Sequence, residues 1–361
     1  MNDHLTMYGW NASWEEAMLE YRDSGLVPAR VTAQFANQYR IAANAETGEL
    51  PAEVSGKFQY QAASRGDFPA VGDWVAAALL TGERRAVIHA VLPRKSAVSR
   101  RAAGSVPEIQ IIGANIDTLF IVNALNDDFN VRKIERYLIA AWESGAKPVV
   151  LLTKADLCND VPQRVSAVES AAPGADVHAV SALTGQGKEL LAVYLKPGTT
   201  IAVTGSSGAG KSTLLNWLAG TELQRIQDIR DSDARGRHTT THRELFPLPS
   251  GAIMMDTPGM RELQLWEADS GWAEAFSDID LLAAGCRFRD CRHVNEAGCA
   301  VKQALDEGSL DEGRFASFKK TQRELAHQAR KEHSVSMRLK KNAAKRKSGP
   351  AAGDRDWDGG Q

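Results

Sequence analysis

The chain has 361 residues, with 43 Lys plus Arg against 45 Asp plus Glu, a formal net charge of −2, 43% hydrophobic residues and 24% charged ones. That composition is globular and excludes a wholly disordered chain, and the length suits about two to three domains of roughly 150 residues. No apolar run reaches the roughly 18 residues of a membrane helix, no secretory signal is expected, and four cysteines do not make a disulfide scaffold. The expectation is a cytoplasmic, monomeric, multidomain protein with no membrane partner.

Residues 1–30 carry Tyr8, Trp10 and Trp14 on a short helical pattern and read as an N-terminal extension that packs on the adjoining domain. Residues 31–105 hold about five short alternating stretches (Val31–Phe35, Gln38–Ala42, Ala52–Val54, Asp73–Ala76, Ala86–Val91) between Gly and Pro turns. Such spacing predicts a small β-barrel, with an OB-fold the economical choice and an SH3-like barrel the alternative. Over 106–270 solid apolar runs (Thr118–Val122, Pro148–Leu152, Val177–Val180, Ile201–Val203, Ala252–Met255) alternate with helical text such as Val131, Ile134, Leu138 and Ala141. Buried strands alternating with helices predict an α/β domain on a mainly parallel sheet. Residues 271–347 show no strand pattern and read as a Cys/His knot followed by helix. Residues 348–361 are Gly-, Asp- and Ala-rich and read as a disordered tail.

The sharpest motif is Gly205-Ser206-Ser207-Gly208-Ala209-Gly210-Lys211-Ser212, a complete G-x-x-x-x-G-K-S after one strand and before a helix that begins at Thr213. Its glycines let several backbone N–H groups face phosphate oxygens, and the helix N-terminus adds positive potential. Lys211 reaches the β- and γ-phosphates and counts as catalytic; Ser212 ligates Mg²⁺. Downstream, Asp256-Thr257-Pro258-Gly259 ends another buried strand, so Asp256 can hold Mg²⁺ through water and the Gly259 N–H can meet the γ-phosphate. Between the two lies Gly236-Arg237-His238-Thr239-Thr240-Thr241. Thr240 and Thr241 are both candidates to complete the Mg²⁺ shell, with Thr240 carried forward.

Thr153-Lys154-Ala155-Asp156 and Ser181-Ala182-Leu183 each end a predicted strand, in the manner of the guanine-reading N/T-K-x-D and S-A-x motifs. The Asp156 carboxylate can accept from guanine N1–H and N2–H, which adenine does not offer. Lys154 can lay its stem over the base, and the Ala182 N–H can donate to O6. These motifs favour GTP over ATP. They precede the phosphate loop, whereas an ordinary GTPase has them after it. A parallel sheet binds ligand at the carboxyl ends of its strands, so cutting and rejoining the chain elsewhere leaves the site whole. The domain reads as circularly permuted.

Cys286-x₄-Cys291-x-His293-x₅-Cys299 supplies three thiolates and an imidazole, a closed tetrahedral set for one structural Zn²⁺. Cys158 reads as a small packed side chain. From Lys319 to Lys347 there are eleven Lys or Arg against two Glu, and Arg94, Lys95, Arg100 and Arg101 form a second basic cluster at the barrel edge. Two basic surfaces flanking a nucleotide domain suit RNA backbone.

Barrel, permuted motif order, the G-R-H-T-T-T segment and the zinc knot together resemble the circularly permuted, small-ribosomal-subunit-dependent GTPases of RsgA type, over about residues 30–330. The resemblance implies a GTPase stimulated by the small ribosomal subunit and its rRNA, acting as a late assembly or release factor that cycles between GTP and GDP. It implies His238 as catalytic helper. Two departures stand out: Thr153 replaces the usual Asn, at the cost of one hydrogen-bonding side chain, and Met260 stands where many GTPases place a water-orienting Gln. They leave a second reading, an RNA-binding scaffold with a vestigial nucleotide site.

Overall fold

The computed structural model describes residues 3–35, 38–101, 109–221, 243–256 and 269–347. It divides into two compact units, Met1–Ala304 and Leu305–Gln361. The first unit begins with two short helices, α1 (Asp3–Thr6) and α2 (Ala12–Met18), the latter capped by the Asn11 side chain. Strands β1 (Val27–Phe35), β2 (Gln38–Asn44) and β3 (Gly48–Val54), helix α3 (Gly56–Gln61), and strands β4 (Trp74–Leu80) and β5 (Arg85–Val91) come next.

These strands close in the order β1-β2-β3-β5-β4 and back to β1, with β3 and β5 parallel, which is the OB arrangement. Alternation decides which side chains go in: Val31, Ile41, Leu50, Val75 and Ile88 fill the barrel. The outward Trp74 is covered by Leu5, Trp10, Trp14 and Met18, so the N-terminal extension does pack on the barrel. Trp10 meets Trp74 edge-on at 4.8 Å between centroids.

A hairpin of β6 (Ala97–Arg101) and β7 (Ile109–Ala114), which the sequence pattern does not announce, leads out of the barrel. The α/β part runs β8 (Thr118–Ala124), α4 (Val131–Ser144), β9 (Lys147–Thr153), α5 (Val161–Glu169), β10 (Asp176–Ala179), α6 (Lys188–Leu191), β11 (Thr200–Gly205) and α7 (Lys211–Ala219). It ends in β12 (Arg243–Pro247) and β13 (Ile253–Asp256). Strand order is β10-β9-β8-β11-β13-β12, all parallel except β12.

Both faces are buried, which is why the strands read as solid apolar runs. Leu119, Ile121, Val150 and Leu152 pack with Ile134 and Leu138 of α4, while Phe120, Val122, Val149 and Leu151 pack with Leu214 and Leu218 of α7. The chain winds from β8 outward to β10, then returns to β11 on the other side of β8. That reversal opens a crevice at the carboxyl ends of β8 and β11.

The sheet does not stop at β12. Its outer edge pairs antiparallel with β1 of the barrel, Ala33 opposite Glu244 and Gln34 opposite Arg243. Arg40 of β2 reaches the Glu244 carboxylate at 3.3 Å. After β13 come α8 (Asp269–Ala275), α9 (Ser277–Ala283) and α10 (Ala300–Asp306). The second unit is dominated by α11 (Glu312–Lys347), 36 residues long, whose start is capped by Asp311 accepting from the Arg314 N–H.

One expectation needs correcting. Arg94 does not join an outward basic cluster with the exposed Lys95: its guanidinium grips the fully buried Asp73 carboxylate through Nε at 2.8 Å and Nη2 at 2.7 Å. Its remaining donors meet the carbonyls of Gly66 and Phe68. Burial pushes the Asp73 carboxyl up, and Arg94 opposes that shift. Replacing Arg94 by Met leaves a buried carboxylate without its cation, so Arg94→Met is expected to lower unfolding free energy by about 3–5 kcal/mol. A urea titration followed by circular dichroism reads it.

Candidate nucleotide site and metal centre

The phosphate loop leaves β11 at Gly205, whose φ of 140° suits glycine; a Cβ there would collide with the Val122 carbonyl of β8. Gly210, at φ 85°, turns the chain into α7, so the first turn of that helix faces the crevice. Lys211 folds back over the loop, its ammonium donating to the carbonyls of Gly205 (2.9 Å) and Ser206 (2.5 Å). Ser212 is half-buried in the first turn of α7.

The base motif arrives from β9. Thr153 is buried, and its hydroxyl donates to the Ala209 carbonyl inside the phosphate loop at 2.6 Å. In sequence this threonine looks like a lost hydrogen-bonding side chain; in place it stitches the two motifs together. Lys154 takes a left-handed turn (φ 58°), which leaves Asp156 exposed beyond it. The Ala155 N–H then donates to the Val180 carbonyl at 3.2 Å, tying this motif to the end of β10. There Ser181 is buried, its backbone bridges Gln186, and its Oγ accepts from the Thr184 N–H, a small closed turn that carries the half-buried Ala182.

Asp256 ends β13 and is half-buried, one strand over from the phosphate-loop strand. Thr153, Lys154, Asp156, Ser181, Ala182, the 205–213 segment and Asp256 therefore all stand at carboxyl ends of strands of one sheet or in the loops and helix start directly after them. His238, Thr240 and Gly259 lie outside the described residues.

The four sulfur and imidazole ligands converge at the other candidate. Their ligand atoms all lie within 4.8 Å of one another. Cys286 Sγ stands 3.9 Å from Cys299 Sγ, and His293 Nδ1 stands 3.6 and 3.4 Å from those two sulfurs. A tetrahedral zinc with Zn–S bonds of about 2.3 Å has S–S edges of about 3.8 Å, so the donor set fits the ion. Burial pushes the Cys286 thiol up, but hydrogen bonds from the Val301 and Ala300 N–H groups and from the neighbouring cysteines together bring it down, while burial pushes the Cys291 thiol up to about 11. Cys158 stands apart, half-buried, with its thiol on Asp160.

Sequence reasoning misses Glu296. Its carboxylate accepts from the N–H groups of Val294 (2.8 Å), Arg292 (3.0 Å) and Asn295 (3.0 Å) and shapes the loop between Cys291 and Cys299. Those bonds, Val294 first, hold its carboxyl at about 2. A lone Glu among polar loop residues carries no such signal in sequence.

Two outcomes are expected from this geometry. Thr153→Val strands the buried Ala209 carbonyl, a loss of about 1–3 kcal/mol, so affinity for a fluorescent guanine nucleotide should fall about tenfold while Thr153→Ser stays near the parent. Cys286→Ser should remove tightly held zinc from the purified protein, read by elemental analysis, since three of four ligands no longer close the tetrahedron.

A family model described as RsgA GTPase matches residues 91–266. Small ribosomal subunit biogenesis GTPase RsgA of Opitutus terrae is 44% identical over 351 residues, covering 95% of each chain. RsgA 2 of Lactiplantibacillus plantarum is 44% identical over 328 residues, covering 91% of each. Among solved structures, YjeQ from Thermotoga maritima matches with a TM-score of 0.63 at 27% identity, over 83% of this chain and 99% of its own. YloQ, described as a circularly permuted GTPase, matches in fold with a TM-score of 0.60 at 22% identity, over 85% and 97%. With its permuted strand order, closed barrel and near full-length relatives, the chain belongs to the RsgA GTPase family.

Proposed function

We propose that this chain binds GTP with Mg²⁺ in the crevice at the β8–β11 reversal and hydrolyses it on the small ribosomal subunit, as a late assembly and release factor. The observation that carries this reading is the bond from Thr153 to Ala209, which holds a guanine motif and a complete phosphate loop as one unit.

Each side chain has a definite task. Lys211 exchanges the carbonyls of Gly205 and Ser206 for β- and γ-phosphate oxygens, while the 206–213 backbone and the start of α7 cradle the phosphates. Ser212 would hold Mg²⁺ directly, Asp256 would hold it through water, and Thr240 would complete its shell. When bound, the ion neutralises charge growing on the phosphate oxygens. Asp156 accepts from the guanine N–H groups, Lys154 covers the base, the Ala182 N–H meets O6, and Ser181 braces that turn. The Gly259 N–H contacts the γ-phosphate, and His238 orients the attacking water in place of the Gln that Met260 displaces.

The closed Cys₃His set supports one structural Zn²⁺ with no position left for chemistry. The eleven cations between Lys319 and Lys347 support contact with rRNA backbone, which gives affinity without reading sequence. No helix among the described residues is long and apolar enough to cross a membrane, and a monomer working in the cytoplasm is the setting we infer.

Phosphate release from GTP, measured alone and with purified small or large ribosomal subunits, tests the reading. A slow basal rate, raised at least about tenfold by small subunits alone and abolished by Lys211→Ala, is expected. A rate that no subunit changes removes the ribosomal part, and no hydrolysis under any condition removes the enzyme.

A further inference from the structure

Opposite the phosphate loop, where the amino-terminal ends of β8 and β11 meet the barrel and the N-terminal extension, lies a cavity of about 270 Å³. Its walls include Trp10 and Trp14 from the extension, Arg30 and Lys95 from the barrel side, and Asp117 and Thr199 from the nucleotide half. At that size it is below the roughly 300–1,000 Å³ of drug-sized pockets, and it suits a small ion or headgroup rather than a nucleotide.

Arg30 is the unusual group in that wall. It is 2% exposed, yet no carboxylate stands within ion-pair distance of it among the described residues. Its guanidinium meets only neutral partners: the carbonyls of Tyr8 (2.5 Å) and Asn115 (3.3 Å), the Thr200 hydroxyl (3.0 Å) and the face of Trp74. Its Nε is buried with no partner at all. A buried guanidinium ordinarily comes with a carboxylate or phosphate, because desolvation is costly without one. Burial pulls Arg30 down to about 10, against the opposing attraction of the Asp117 and Asp73 carboxylates.

The two nearby carboxylates act on Arg30 from beyond ion-pair distance, and each has a closer partner. Asp73 is held by Arg94, and Asp117 accepts from the Thr200 backbone N–H at 2.7 Å. Among the residues that line the cavity, Arg30 and Lys95 are cationic and Asp117 is anionic, so the lining carries one positive charge in excess. Lys95 is exposed on the rim, its ammonium over the Trp14 ring at 4.4 Å and on Ser13 Oγ at 2.6 Å, both weak holds that an anion outcompetes.

We infer that this cavity is a binding site for a small, free phosphate-bearing anion, with Arg30 as its floor and Lys95 as its rim cation. Arg and Lys together suit a phosphate group, Arg through its planar donors and Lys as a point charge. Since Arg30 also bonds Thr200, the first residue of the strand that ends in the phosphate loop, the ligand would fasten extension, barrel and β11 together. The site is independent of the nucleotide crevice and of the function proposed above.

The test is a titration of the full chain with inorganic phosphate, followed by the backbone amide resonances of Gly198 and Thr199 and the indole resonance of Trp14. It is run with and without saturating GDP and Mg²⁺, against sodium chloride at matched ionic strength. Saturable shifts at all three, the same in both nucleotide conditions and at least about fivefold weaker in affinity in Lys95→Met, are expected. Lys95→Met leaves the buried Arg30 contacts in place, so folding is not at issue. No shift, a shift that chloride reproduces, or one that Lys95→Met leaves intact overturns the inference.

Discussion

Two backbone pairs join the barrel to the nucleotide half, Ala33 with Glu244 and Gln34 with Arg243, and the rest of the first unit is arranged around them. Strand β12 is the antiparallel edge of an otherwise parallel sheet, and an edge strand has unpaired donors and acceptors to satisfy. Here β1 of the barrel takes that edge, so one ladder runs through eleven strands. Arg243 reinforces the seam. It is buried, bonded to the Gln34 amide oxygen and to the Ile111 carbonyl of the hairpin, so one guanidinium binds barrel, hairpin and sheet. Burial lowers it to about 10, still charged at neutral pH. In sequence, Arg243 stands two residues after Thr241. Arg243, the first described residue after the switch threonines, is thus held directly on the barrel by backbone pairing.

The permuted order is harmless for a physical reason that the strand order makes plain. The site is made of short turns at the ends of β9, β10, β11 and β13, and each turn is local to its own strand. Moving the chain ends changes which turns come first and leaves every strand–turn–helix unit intact. What permutation does put at risk is registration between the base half and the phosphate half, which no longer succeed one another in the usual sequence. The Thr153 hydroxyl on Ala209 supplies it at 2.6 Å, a buried bond between residues 56 apart. The threonine hydroxyl reaches that acceptor directly.

Much of this is legible in the sequence. The five barrel strands and five parallel strands announce themselves by alternation or by solid apolar runs, since burial on one face or two dictates those patterns. The phosphate loop and the Cys/His spacing are legible because their chemistry is local. The hairpin β6–β7 and strand β12 are not: Ala97–Arg101 and Arg243–Pro247 are short, and their arginines mask the period. Arg94 misleads for a related reason. Sequence gives a side chain's charge but not its direction, and nothing local says that Asp73, 21 residues earlier, lies buried beneath it. Thr153 likewise looks like a deficit because its partner is 56 residues away.

The metal loop shows the same boundary from the other side. Spacing finds Cys286, Cys291, His293 and Cys299 but not what brings them to one point. His293 adopts a left-handed backbone (φ 56°), which reverses the chain directly after Cys291, and Glu296 collects three backbone N–H groups from its neighbours in the loop. With its carboxyl held at about 2, Glu296 is ionised throughout the physiological range. Three cysteines and a histidine whose ligand atoms lie within 4.8 Å of one another form a donor set that a cation would close. The loop that presents two of them is shaped beforehand by an ordinary carboxylate. The ligands thus choose the metal, while the turn that delivers them is a matter of backbone hydrogen bonding.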